Sequence, residues 1–180
     1  VELLTSLLFV ACVWKFGFGW KGFGAMLLSG FLVALSGIDL RTRLLPDQLT
    51  LPLMWLGFIA AIENLYVGQK TALLGAMAGY LSLWSVYWLF KQLTGKEGMG
   101  HGDFKLLAAP GAWTRLAGVL PTILISSLVG AVIGSIWLAM KGKDTATPIP
   151  FGPYLAIAGW ISFFWGKDLM GAYLRFAGLA

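Results

Sequence analysis

Apolar residues along this chain do not alternate with polar ones; they run in long blocks separated by short polar or glycine-rich stretches. Seven blocks can be read, at about 3–16, 22–39, 49–66, 71–90, 104–117, 119–140 and 151–176. The run from Phe104 to Met140 is too long for one membrane span of about 20 residues, and Gly118 with Pro121 marks the expected break. The first and fifth blocks are short for a full crossing, which leaves six or seven crossings. Small residues recur inside the blocks: Gly75, Ala76, Ala78 and Gly79 in the fourth, and Ser126, Ser127, Gly130, Ala131 and Gly134 in the sixth. Such residues let helices approach closely in lipid, where packing drives association. The pattern predicts an all-α fold, a polytopic helical membrane bundle of six to seven segments. No 20–50-residue repeat, low-complexity tract or linker divides it, so one domain is expected over 1–180.

Composition sharpens this. The chain is 58% hydrophobic and 12% charged, with mean hydropathy +0.80, whereas soluble domains have about 45–50% apolar and 25% charged residues. That points to an integral membrane protein in contact with a lipid bilayer. The nine tryptophans fit interfacial aromatic belts. A net charge of +5 reads as loop charge rather than nucleic-acid binding, since no Lys/Arg cluster resembles a phosphate-tracking surface. If all seven blocks cross, Arg41, Arg43, Lys91, Lys96, Lys105, Lys141 and Lys143 share one face. Lys15, Lys21, Lys70 and Arg115, with Lys167 and Arg175, fall on the other. The bias makes the first face cytoplasmic, with the N-terminus inside and the C-terminus outside. The chain starts at Val1 rather than Met and is expected to be a processed or truncated piece.

Only eight residues are acidic. Glu2, Glu63, Glu97, Asp144 and Asp168 sit near segment ends or in loops and read as solvated groups. Asp39 and Asp103 differ: Asp39 ends the second apolar block and Asp103 opens the fifth. An even number of crossings separates them, so both lie at one face and can meet inside a bundle. Asp103 follows Gly98-Met99-Gly100-His101-Gly102, three glycines in five positions where the chain re-enters an apolar medium. A carboxylate at such an edge is expensive to desolvate and is by default a functional candidate; the plainer reading is a surface loop whose Asp103 only caps the next helix. Two carboxylates a few ångström apart cannot both ionise easily and hold one shared proton. The ionised partner can deprotonate water while the protonated one polarises a scissile carbonyl. Competing chemistries are poorly served. His101 is the sole histidine and Cys12 the sole cysteine, so neither a disulfide nor a CxxC or His/Cys zinc site can be built. Cys12 sits mid-segment, away from His101. The glycine loop matches neither GxxxxGK[ST] nor GxGxxG.

These residues resemble a known family. Ile38-Asp39-Leu40-Arg41-Thr42-Arg43-Leu44-Leu45-Pro46-Asp47 looks like the first catalytic block of the bacterial type IV prepilin peptidases. Gly98-Met99-Gly100-His101-Gly102-Asp103-Phe104-Lys105 looks like their GxGD block. Gly79-Tyr80-Leu81, Tyr87-Trp88 and Pro150-Phe151-Gly152-Pro153-Tyr154 are also similar, and the likeness covers nearly the whole chain. The resemblance implies a GxGD-type membrane aspartic protease with Asp39 and Asp103 as its two catalytic aspartates. It implies that Asp47 positions or caps the third segment. Lys105 would offset carboxylate charge or anchor the loop, and Gly100 with Gly102 would let that loop fold against substrate or helix backbone. Such enzymes cut the short basic leader from type IV prepilins and pseudopilins, serving type IV pili and type II secretion, at the cytoplasmic face of the inner membrane. The charge-derived orientation agrees.

Two departures stand out. Many members carry an amino-terminal region with paired CxxC motifs and S-adenosylmethionine-dependent methylation. These residues hold no such cysteines, so S-adenosylmethionine and zinc are expected only in that region, with no cofactor or metal for the peptidase. Pro110, seven residues beyond the GxGD carboxylate, is expected to kink the fifth segment. The alternative from another class is a proton-coupled transporter using Asp39 and Asp103 as relay carboxylates. Against it, both aspartates sit at one face and no inverted repeat is visible. A presenilin- or signal-peptide-peptidase-like protease would carry Tyr-Asp and Pro-Ala-Leu; here stands Ile38-Asp39, and Pro-Ala-Leu is absent.

Overall fold

A computed structural model of the chain describes residues 1–95, 100–141 and 150–178. Seven helices follow one another: α1 Glu2–Phe16, α2 Trp20–Thr42, α3 Asp47–Ile62, α4 Gln69–Thr94, α5 His101–Trp113, α6 Leu116–Lys141 and α7 Gly152–Phe176. No strand occurs among the described residues. The helical bundle expected from the apolar blocks is therefore what forms. The residues 96–99 of the glycine loop, and Lys143 and Asp144 between the last two helices, lie outside the described residues.

α2, α4 and the first part of α6 (Leu116–Ile133) are long and apolar enough to cross a membrane, and α3 is a shorter apolar helix. Large apolar side chains stand exposed along these helices, among them Trp55, Leu73, Leu93 and Leu128. In water such a surface would be a liability; against hydrocarbon it is the required one, while every helix satisfies its own backbone.

The centre of the bundle is α5, the shortest helix. Ten of its 13 residues are buried, and α3, α4, α6 and α7 pack around it. Glycines set how near the neighbours come. Gly75 of α4 and Gly111 of α5 meet backbone to backbone, and a Cβ on either would collide with the other's carbonyl. Gly79 of α4 stands so close to Leu107 that a Cβ there would lie 2.8 Å from its carbonyl oxygen. This is close packing through small residues, the driving term for helix association in lipid.

The chain breaks differently from expectation at two points, the α5–α6 turn and the end of the third block. The turn between α5 and α6 falls at Thr114 and Arg115, before Gly118. Thr114 is extended (φ −102°, ψ −179°), and its side chain occupies the space a Cβ on Gly118 would need, so the small residue permits the tight turn without being the turn. Pro121 lies inside α6. Pro110 lies inside α5, which continues to Trp113; its ring fills the gap left by Gly159 of α7, where a Cβ would come within 3.0 Å. The third block ends as a helix at Ile62, because Asn64 takes a left-handed φ of 52° and turns the chain.

Candidate active site

Asp39 and Asp103 come from opposite ends of their helices. Asp39 sits in the last turn of α2, which closes when Arg43 adopts a left-handed φ of 55° and donates its N–H to the Asp39 carbonyl at 2.8 Å. Asp103 sits in the first turn of α5, three residues beyond the N-cap Gly100. Since α3 and α4 lead the chain away and back, the two turns lie at one end of the bundle. Both carboxylates are buried, Asp39 at 4% and Asp103 at 7% exposure.

Each carboxylate is held by a backbone amide. The N–H of Gly152, the first residue of α7, donates to Asp39 Oδ2 at 3.0 Å. The N–H of Gly100 donates to the Asp103 carboxylate, as an acidic residue at the third helical position does when it reaches back to the N-cap. Asp103 therefore does cap its helix, and the same carboxylate feels Asp39. Asp103 precedes the apolar body of a 13-residue helix and lies outside the three long spans. Its pKa is pushed up to about 7, chiefly by burial and secondly by the negative charge of Asp39, against the lowering effect of the Gly100 amide. Near neutral pH Asp103 is thus poised to hold a proton beside a second carboxylate.

The surroundings fix Asp103 more than Asp39. Phe104, fully buried, packs edge-on against Tyr80 and Tyr87 of α4 at 5.9 and 5.5 Å between ring centroids. His101 lies 5.1 Å from the Tyr87 ring and so belongs to the aromatic wall. Gly102 abuts Leu45; a Cβ there would come within 2.7 Å of the Leu45 Cβ. Among the described residues a Cβ on Gly100 would meet only the Asp103 carboxylate, at 3.8 Å. Of the two glycines of the motif, Gly102 is required by space.

Asp47 and Lys105 find each other. The Lys105 ammonium donates to both Asp47 carboxylate oxygens, at 2.7 and 2.6 Å. Asp47 makes no capping bond: Pro46 is the N-cap of α3, and no side-chain cap bond closes it. Between the capping and positioning readings the ion pair favours positioning, and it ties α3 to α5 rather than neutralising either buried aspartate. With Leu45 against Gly102, the segment following Asp39 is fastened to α5 at two places.

The resemblance assigns no role to Gly152. Its amide is the direct partner of Asp39, and a Cβ on it would lie 2.6 Å from Asp39 Oδ2. A sequence signal existed, glycine followed by proline at the start of an apolar run, but it says "helix start" and not which side chain the amide will meet. No group of three or more His, Cys, Asp or Glu residues that could hold a metal occurs among the described residues.

The chain has relatives among known proteins. The chain is 76% identical over 179 residues to a prepilin leader peptidase/N-methyltransferase of Xanthomonas campestris pv. campestris, covering 99% of the chain and 62% of that relative. It is 56% identical to the protein of the same name from Pseudomonas aeruginosa (99% and 61%) and 54% identical to that of Aeromonas hydrophila (97% and 60%). It spans less than two thirds of the length of these curated relatives. No solved structure matches. The type IV leader peptidase family matches residues 26–135, a stretch that includes both buried aspartates, Gly102 and the Asp47–Lys105 pair. With the match extending over more than half of its residues, the chain belongs to the type IV leader peptidase family.

Proposed function

We propose that this chain is the peptidase part of a membrane aspartic endopeptidase that removes the basic leader from type IV prepilins and pseudopilins. The observation that carries this is the buried pair, Asp39 and Asp103, in which one carboxylate sits close enough to raise the proton affinity of the other. Membership of a leader peptidase family displaces the transporter alternative.

In this mechanism Asp103 enters protonated and donates to the scissile carbonyl oxygen. Asp39, held by the Gly152 amide, takes a proton from water as the water oxygen bonds to the carbonyl carbon. The Asp103 proton moves to the carbonyl oxygen, giving a neutral gem-diol. On collapse Asp103 recovers a proton from one diol hydroxyl, Asp39 passes its proton to the leaving nitrogen, and the C–N bond breaks. The pair ends with one shared proton, as it began, and no acyl-enzyme forms. Asp47 and Lys105, with Gly102 against Leu45, hold the segment following Asp39 to α5, and the Gly100 amide holds the Asp103 carboxylate.

The excess of basic residues on the aspartate face supports a cytoplasmic active site in the inner membrane, and a basic leader is attracted to an acidic site. The curated relatives are also named N-methyltransferases. We assign any use of S-adenosylmethionine or zinc to the part of such proteins that this chain does not span.

The test is leader removal from a purified prepilin in detergent, with the full-length protein carrying this chain, read by gel shift. Asp39→Asn and Asp103→Asn are expected to be inactive while folded, and Asp144→Asn to cleave normally. Normal cleavage by either of the first two overturns the two-aspartate mechanism.

A further inference from the structure

The opposite end of the bundle holds a second polar site, about 15 Å along α5 from Asp103 at 1.5 Å per residue. A cavity of about 380 Å³ opens there between the end of α1, the start of α2, the α3–α4 and α5–α6 turns and the middle of α7. Four cations line it, Lys15, Lys21, Arg115 and Lys167, against one carboxylate, Asp168. Among the described residues none of the four makes an ion pair with a carboxylate. Lys15 instead lies over the Trp165 ring, 5.4 Å from its centroid. Trp165 itself is non-helical (φ −130°, ψ 16°), and the kink it makes in α7 sets Lys167 on the cavity wall.

A second observation points independently to a ligand. Ser162, another lining residue, is 2% exposed, and its hydroxyl has no hydrogen-bond partner among the described residues. A serine inside a helix ordinarily bonds back to a carbonyl one turn earlier, as Ser29, Ser36 and Ser135 do here. A buried hydroxyl left unpaired is costly, and this one is at a cavity rich in positive charge. Ala117 in the first turn of α6 lines the same cavity, at the positive end of that helix. A lone carboxylate would meet one of these cations; several cations around one cavity, with a hydroxyl in its wall, suit a phosphate or phosphodiester, whose oxygens can face more than one of them. Phe16, Phe163 and Trp165 give the cavity an apolar wall, suited to the glycerol and acyl portion of a lipid.

We propose that this cavity binds a phosphate group, carried by an anionic phospholipid headgroup or as free inorganic phosphate, between Lys15, Arg115 and Lys167. The site is independent of the aspartate pair and of the activity proposed for it.

The experiment titrates the detergent-purified full-length protein with phosphatidylglycerol, and separately with phosphatidylcholine, by native mass spectrometry; inorganic phosphate is titrated by calorimetry. Variants are Lys15→Gln/Arg115→Gln/Lys167→Gln, the milder Arg115→Gln and Ser162→Ala, and Arg41→Gln/Arg43→Gln at the other end of the bundle. One phosphatidylglycerol is expected to be retained more tightly than phosphatidylcholine. The triple variant should weaken it about a hundredfold, as expected for three basic residues near an anionic group. Ser162→Ala should weaken it about threefold, and Arg41→Gln/Arg43→Gln should leave it unchanged. Phosphatidylglycerol without inorganic phosphate makes the lipid the source; inorganic phosphate without the lipid makes the free anion the source. If the triple variant fails the thermal-unfolding check, Arg115→Gln and Ser162→Ala carry the test. Binding of neither probe, or undiminished binding by folded variants, overturns the proposal.

Discussion

Gly152→Ala sets two opposed effects against each other, and their magnitudes decide the sign. Alanine in place of glycine in a helix is ordinarily stabilising by about 0.5–1 kcal/mol. At 152 the added Cβ would stand 2.6 Å from Asp39 Oδ2 and 3.0 Å from its Cγ. To restore an ordinary contact the carboxylate must move by about 0.8 Å, or α7 must move with it, and the 3.0 Å bond from the Gly152 amide is stretched or lost. A hydrogen bond to a charged group contributes about 1.5–3 kcal/mol, and overpacking a close-fitted site costs about 1–3 kcal/mol. Together the losses exceed the helix gain, so Gly152→Ala is expected to destabilise by about 1.5–5.5 kcal/mol. A displacement near 1 Å at a catalytic carboxylate costs on the order of 100-fold in rate, so kcat for leader removal should fall by about that factor with KM little changed. Gly171→Ala is the internal control: it lies in the same helix with nothing within 4 Å of its Cβ position and should stabilise. Thermal unfolding in detergent and steady-state cleavage of a prepilin read both. If Gly152→Ala stabilises as Gly171→Ala does, and cleaves at the parent rate, then the amide–carboxylate contact does not hold Asp39.

Three further outcomes follow from the same geometry. Asp103 has a folded-state pKa of about 7 against an ordinary 3.8. Below about pH 4 it is neutral in both folded and unfolded chains, and between 4 and 7 only the unfolded chain ionises. Stability therefore falls as pH rises and levels off above about 7, by up to about 4 kcal/mol. Asp103→Asn should reduce that fall, measured by unfolding at pH 5 and pH 8, and the parent's cleavage should decline as pH rises through about 7. The Lys105–Asp47 pair is 30% and 54% exposed, so a double-mutant cycle with Lys105→Gln and Asp47→Asn should give a coupling of at most about 1 kcal/mol, with any loss of cleavage exceeding the loss of stability. Gly75→Ala should destabilise by about 1–3 kcal/mol, because its Cβ meets the backbone of Gly111 rather than a side chain that can rotate away; a parent-like melting temperature would show that α4 and α5 are not packed this closely.

The split between what the sequence discloses and what it hides follows from how each feature is encoded. Apolar blocks are encoded locally, so seven helices could be placed to within a few residues, and the parity of crossings was enough to bring Asp39 and Asp103 to one end. Chain breaks were less legible because helices packed in a membrane bundle tolerate internal glycine and proline. In the close packing of this bundle Pro110 fills the space left by Gly159, Pro121 lies within α6, and the actual turn falls at Thr114. Pairings across the fold were not legible at all. Lys105 reaches Asp47 over 58 positions and the Gly152 amide reaches Asp39 over 113, and neither partner carries a local mark of the other. The second case matters more for chemistry. A carboxylate can be found in a sequence by its type, but the group holding Asp39 is a backbone amide, which every residue except proline possesses. What distinguishes position 152 is the absence of a side chain, and that absence becomes informative only once α7 is seen to begin against the end of α2.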